Sequence, residues 1–146
     1  MEKLNPYLTF PGNCEEAFNF YRSVFGGEFL SVGRFSDMQS DEGVIVPEYK
    51  MNKITHIALP IGEQTILMGS DSDDDWSPAL VAGNNITLSI TAKTKEDADR
   101  FFETLSGEGK IILQIGDVFW GSYYGMCTDK YGVNWAVSYE KKETDT

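Results

Sequence analysis

The chain has 146 residues, 41% of them hydrophobic, enough to bury one sizeable core. Its formal net charge of −11, from 23 acidic against 12 basic residues, argues against a nucleic-acid partner, which needs clustered Lys and Arg. No apolar run approaches the roughly 18 residues that cross a bilayer. Met1-Glu2-Lys3-Leu4-Asn5 has no signal-peptide core, so a cytoplasmic protein with no membrane partner is expected.

Pro6 to Phe10 reads as a short strand, and a helix follows it. Asn13 with Glu16 three residues on forms a predicted capping box, and apolar residues recur at Ala17, Phe20, Tyr21, Val24 and Phe25 until Gly26-Gly27 stops the helix. Strands are predicted over Glu28 to Phe35, Lys53 to Pro60 and Gln64 to Gly69, the last two joined by a turn at Ile61-Gly62-Glu63.

The pattern then repeats. Asn85 to Thr91 alternates Ile86, Leu88 and Ile90 with Thr87, Ser89 and Thr91. The segment from Thr94 to Phe102 echoes Asn13 to Tyr21 at a distance of 81 residues, with Thr94 and Asp97 as a second capping box and Ala98, Phe101, Phe102 and Leu105 as the apolar stripe. Lys110 to Ile115, Gly121 to Thr128 and Val133 to Tyr139 are three further strands, the last two turning through Asp129-Lys130-Tyr131-Gly132.

Two βαβββ halves are therefore expected in one domain: module one at about 4–70, a linker at about 71–83, module two at about 84–140 and a tail at 141–146. The 81-residue shift sets Thr9 opposite Ile90 and reverses the facing pattern of the first strand, so a one-residue slip at Pro11-Gly12 is assumed. Ser36 to Asn52 is a polar insertion long enough to act as a flap, and the cluster Asp71, Asp73, Asp74 and Asp75 before Trp76 reads as a solvated linker. Cys14 and Cys127 have no metal-type spacing; Cys14, in a helix's first turn where a thiolate is favoured, reads as a small packed residue.

The run from Pro6 to Ala17, with Phe20-Tyr21, Phe25-Gly26-Gly27-Glu28, Phe119-Trp120 and Thr128-Asp129-Lys130-Tyr131-Gly132-Val133-Asn134-Trp135, resembles the PhnB-like branch of the glyoxalase, bleomycin-resistance and extradiol-dioxygenase (vicinal oxygen chelate) superfamily. The resemblance covers about Asn5 to Tyr139. It implies an α+β fold in which the modules form a cupped, mostly antiparallel mixed sheet around a ligand. Metal-dependent members carry His, Gln or Glu on the first and last strands of each module. Here Asn5 to Thr9 holds no His or acid, the second module's first strand offers Thr87, Ser89 and Thr91, and the last-strand positions fall near Ala136 and near Ile66 or Leu67. No metal and no other cofactor is therefore expected.

The only histidine, His56, lies on the third strand; it is a packed residue or, in the alternative reading, an acid-base group of a lyase or isomerase. In the last strand Val133, Trp135, Val137 and Tyr139 suit a face beneath helices, so Asn134, Ala136 and Ser138 should line the cavity, with Thr87 and Ser89 facing inward on the fifth strand. Phe119, Trp120, Tyr123 and Tyr124 form an aromatic group, of which Trp120 and Tyr124 are the expected ligand contacts. The expected ligand set is Thr87, Ser89, Trp120, Tyr124, Asn134 and Ser138 for a small molecule, with a homodimer implied by family analogy. Some sequences of the branch carry a demethylubiquinone methyltransferase label, but no glycine-rich nucleotide loop, phosphate loop or nucleophile elbow is present.

Overall fold

The computed structural model describes residues 2–40, 43–73 and 79–140. Asp74, Asp75 and Trp76 of the acidic cluster, and the tail at 141–146, lie outside the described residues. The chain divides into two compact units, Met1–Val81 and Ala82–Thr146.

The first unit runs β1 (Tyr7–Phe10), α1 (Cys14–Phe25), β2 (Ser31–Arg34), two 3₁₀ turns (Phe35–Ser40 and Glu48–Lys50), β3 (Ile54–Ile61) and β4 (Thr65–Asp71). The second runs β5 (Leu88–Thr91), α2 (Lys95–Ser106), β6 (Lys110–Asp117), β7 (Ser122–Thr128) and β8 (Asn134–Glu140). Each sheet has the same order, β1-β4-β3-β2 and β5-β8-β7-β6, with the first strand parallel to the last and the other pairs antiparallel. The fold is thus α+β, two four-stranded mixed sheets each with one helix. Thr87, expected inside the fifth strand, lies just before it.

Each helix covers one sheet face, and close packing shows which. A Cβ at Gly69 would fall 2.6 Å from Phe18 Cε1, and one at Gly125 would fall 2.8 Å from Phe102 Cε1, so both glycines let a helix phenyl ring touch the strand. Under α1 lie Phe10, Ile57, Leu59 and Leu67, all almost fully buried against Cys14, Ala17, Phe18, Tyr21 and Val24. Phe18 meets Phe10 and Tyr21 edge-on at 6.1 and 5.6 Å, and burial of each such ring contributes ~2 kcal/mol from apolar area alone. The helical stripe is rotated from the predicted one: Phe18 joins the core, whereas Phe20 and Phe25 are only half-buried. In α2 the stripe is Ala98, Phe102 and Leu105, with Phe101 half-buried at its margin.

The registers locate the slip in the repeat. Thr9 pairs with Ser70 and Thr91 with Ser138, so the first strands correspond at 82 residues while the helices correspond at 81. The extra residue lies in Pro11-Gly12, where Gly12 has φ +122°. Met68 and Ala136 hold matching places on the last strands, paired with Tyr7 and Ser89 respectively. Their separation is only 68 residues because the Ser36 to Asn52 insertion lengthens the first unit. The counterpart of Ala136 is therefore Met68, not Ile66 or Leu67.

The predicted capping boxes divide. Thr94 Oγ1 accepts from Asp97 N at 3.0 Å, as expected. Asn13 makes no capping bond and its Oδ1 is buried without a partner. Instead Asp71, at the end of β4, accepts from Cys14 N at 2.9 Å with one oxygen and from Ile54 N at 2.8 Å with the other. Asp71 is buried, and Asp73 forms a largely buried ion pair with Lys50 at 3.3 Å. These two acids are structural ties, not part of a solvated linker. The same Lys50 lies over the Phe35 ring at 5.1 Å, and buried Phe35 and Val46 anchor the insertion within its unit.

Candidate ligand site

With α2 on one side, the other face of the second sheet is fixed by strand alternation. Cross-strand pairing arranges it in rows. Thr91, Ser138, Tyr124 and Gly116 form one, and Ser89, Ala136 and Met126 form the next. Asn134, Thr128 and Lys110 form the third, approached by Thr87. The predicted alternation of β8 is observed, with Trp135, Val137 and Tyr139 buried on the helix side and Asn134 and Ser138 half-buried on the other. Ala136, expected to line the cavity with them, is itself buried and is not among the cavity's lining residues.

A cavity of about 690 Å³ lies at the third row, lined among others by Thr87, Lys110, Ile112, Met126, Thr128 and Asn134. Thr87 and Asn134 of the predicted ligand set are therefore at this cavity. Ser89, Ser138 and Tyr124 lie farther along the same face, and Trp120 stacks edge-on against Tyr124 at 5.3 Å. Ser138 Oγ is 3.3 Å from Thr91 Oγ1, a hydroxyl pair across β5 and β8. Asn134 is more constrained than expected: its Oδ1 accepts from Thr128 Oγ1 at 2.7 Å and its Nδ2 donates to Ile86 O at 3.1 Å. It shapes the wall by tying three chain segments together.

The aromatic group divides between the two faces. Tyr123 pairs with Tyr139 on the helix side and donates its hydroxyl to Asp99 on α2. That hydrogen bond, with burial and the carboxylate charge, pushes the phenol up to about 12. Phe119 is almost fully exposed at the hairpin tip and meets Trp120 edge-on at 4.9 Å. Only Trp120 and Tyr124 remain together beside the candidate face.

The turn below the cavity is built on a carboxylate. Asp129, buried, accepts from Tyr131 N at 2.8 Å, Val133 N at 3.0 Å and Trp135 Nε1 at 2.9 Å. Cys127 beside it is buried, and burial, reinforced by Asp129, pushes its thiol up to about 11. Burial likewise raises Cys14 far above the ordinary thiol range, with Asp71 adding to the effect. Both cysteines stay protonated near neutral pH and are packed residues, not nucleophiles.

In the first unit the same rows recur with different side chains. Thr9 pairs with Ser70, Gly33 with His56, and Ile57 with Gly69, which sets His56 and Ser70 in one row. The row Thr9, Ser70, His56, Gly33 thus matches Thr91, Ser138, Tyr124, Gly116, and His56 occupies the place that Tyr124 holds in the second unit. The His56 imidazole is half-buried, lies 5.9 Å from the Tyr7 ring and has no hydrogen-bond partner among the described residues. A second cavity, of about 580 Å³, opens at the start of α1 between Asn13, Glu16, Asn19, Tyr49 and Lys53; none of the predicted site residues lines it.

The glyoxalase/bleomycin resistance protein/dioxygenase superfamily model matches residues 3–137. The chain belongs to that superfamily. It is 29% identical to protein YjdN of Escherichia coli K12, over 96% of this chain and 97% of that one. Among solved structures, protein PA1353 of Pseudomonas aeruginosa shares 31% identity with a TM-score of 0.81, covering 97% of this chain and all of that one. A PhnB protein from Bacillus cereus shares 29% identity with a TM-score of 0.75, over 94% and 99% of the two chains. These relatives agree with the PhnB-like motifs of the sequence.

On the helix-free faces, the first and last strands carry Tyr7, Thr9, Ile66, Met68 and Ser70 in one unit and Ser89, Thr91, Asn134, Ala136, Ser138 and Glu140 in the other. Apart from Glu140, exposed at the last position of β8, none is an imidazole, carboxylate or thiolate, the donors that divalent ions take. Among the described residues no group of three or more His, Cys, Asp or Glu is placed to hold an ion, and no helix is long and apolar enough to cross a membrane.

Proposed function

We propose that this protein binds a small organic molecule against the helix-free face of its second sheet and does so without the metal used by other members of its superfamily. The observation that carries this reading is the composition of that face: Thr87, Met126 and the wall residue Asn134 line a cavity of about 690 Å³, and farther along the same face Ser89, Thr91 and Ser138 supply neutral hydroxyl groups and the Trp120–Tyr124 pair supplies apolar surface. The donor set at the superfamily's metal positions supports the metal-free half of the reading. Thr, Ser, Ala and Met are poor partners for a hard or borderline divalent ion. In this reading the protein is a cytoplasmic homodimer with no nucleic-acid or membrane partner.

The test pairs metal analysis of protein purified without chelator with a thermal-shift screen of small metabolites. Substoichiometric metal and a ligand-dependent rise in Tm are expected. Stoichiometric zinc, nickel, iron or manganese would contradict the metal-free reading, and a screen without any hit would contradict the binding one.

The second reading, a lyase or isomerase, rests on His56. A half-buried imidazole on the helix-free face, without a hydrogen-bond partner among the described residues, has both ring nitrogens available for an acid-base role toward a ligand. Turnover unaffected in His56→Ala would remove His56 from catalysis. The 3-demethylubiquinone-9 3-methyltransferase description of the Bacillus cereus relative is not carried over, because the chain has no glycine-rich loop after a strand for a methyl donor.

A further inference from the structure

Among the described residues four charged side chains line the cavity of the second unit, and three of them have protein partners. Glu108 and Lys130 form an ion pair at 3.1 Å at its margin. Both oxygens of Asp129 are occupied by the Tyr131 and Val133 amides and the Trp135 indole. The fourth is Lys110, the first residue of β6, paired in register with Thr128. Its ammonium has no ion pair or hydrogen bond among the described residues. The Thr87 hydroxyl and the Asn84 carboxamide, on the opposite wall, are uncommitted in the same sense.

The apolar part of the lining comes from Ile112, two residues along β6 from Lys110, and from Met126, two residues before Thr128 on β7. A molecule lying along these strands would place one end at the ammonium and its body on the isoleucine and methionine. The chain as a whole carries a net charge of −11, so a local cation at a cavity is a departure from its general field, and the one charged group lining it that has no protein partner among the described residues is positive.

We infer that Lys110 is a specificity-determining residue that selects an organic anion, a carboxylate carried on an apolar or aromatic body, with Thr87 and Asn84 as neutral hydrogen-bonding partners of the head group. This rests on the ligand-binding reading of the second sheet and narrows it to one charge class. A cation of the same size would face Lys110 with no compensating carboxylate, since Glu108 and Asp129 are engaged. A neutral analogue would keep the apolar contacts and lose the charge-assisted hydrogen bond.

Phenylacetate, 2-phenylethanol and 2-phenylethylamine share one body and differ in head-group charge. Each is titrated into the full-length ¹⁵N-labelled protein, following amide shifts. Phenylacetate is expected to perturb Thr87, Lys110, Met126 and Thr128, and to bind at least about tenfold more tightly than the other two. Lys110→Gln should abolish that preference while leaving the remaining spectrum folded, and Lys110→Arg should retain it. Equal affinity of all three probes at these residues, or an undiminished preference in Lys110→Gln, would overturn the role of Lys110 and leave the ligand-binding reading standing. Perturbation by none of the three would count against both, and so would perturbation confined to residues outside the second unit.

Discussion

The two units repeat one topology but secure it differently. In the second, α2 begins on its own residue, Thr94, whose hydroxyl receives Asp97 N three positions along. In the first, α1 begins on a carboxylate 57 residues away, because Asp71 takes both Cys14 N and Ile54 N. One helix start is therefore local and modular, whereas the other exists only when β4 and β3 are in place. The helix-free faces differ in the same spirit: Thr91, Ser138, Tyr124 and Gly116 in one, Thr9, Ser70, His56 and Gly33 in the other. A duplicated frame has kept its small hydroxyl residues and diversified the ring.

The largest expected effect breaks the second unit. A Cβ at Gly109 would come within 2.0 Å of the Thr128 carbonyl oxygen and 2.9 Å of Asp129 Cα, both backbone atoms that cannot swing aside. Gly109→Ala should cost ~3 kcal/mol or more, read by chemical denaturation. Next comes the first unit's distant cap: Asp71→Ala leaves two buried amides without an acceptor and should cost ~2–4 kcal/mol. Its counterpart, Thr94→Ala, should cost only ~1 kcal/mol. Equal losses at Asp71 and Thr94 would erase the distinction between a distant and a local cap.

The smallest effect concerns the tie between β7 and α2. Tyr123→Phe removes the hydrogen bond to Asp99 and should cost ~1 kcal/mol near neutral pH. The folded phenol titrates at about 12 against an ordinary value of 10.0, so the folded state holds this proton more tightly. The contribution is complete below about pH 10 and is lost as pH rises from about 10 towards 12. Difference denaturation curves for wild type and Tyr123→Phe should converge across that window; a constant gap would remove Asp99 as the cause.

Much of the frame is legible in the sequence because it rests on local rules. Helical spacing and the Thr94 box locate α2, and alternation in the last strand separates Trp135, Val137 and Tyr139 from Asn134 and Ser138. What fails are statements that depend on residues distant in the chain. The Asn13 box has the right spacing, but Asp71 arrives from β4 and takes the Cys14 amide. Asp71 and Asp73 look like linker acids until Ile54, Cys14 and Lys50 are beside them. Tyr123 and Tyr124 read as one aromatic group, although neighbouring residues in a strand point to opposite faces. Lys110 carries no signal of its own; only the pairing of Glu108 with Lys130 and the saturation of Asp129 single it out.

The reading of the second sheet as a ligand surface is tested most directly by mapping where a bound small molecule lies. For any compound that raises Tm in the metabolite screen, ¹⁵N chemical-shift mapping should show perturbations concentrated at Thr87, Ser89, Tyr124, Met126, Asn134 and Ser138. Saturable binding that leaves those amides unmoved and perturbs the cavity at the start of α1 would contradict it.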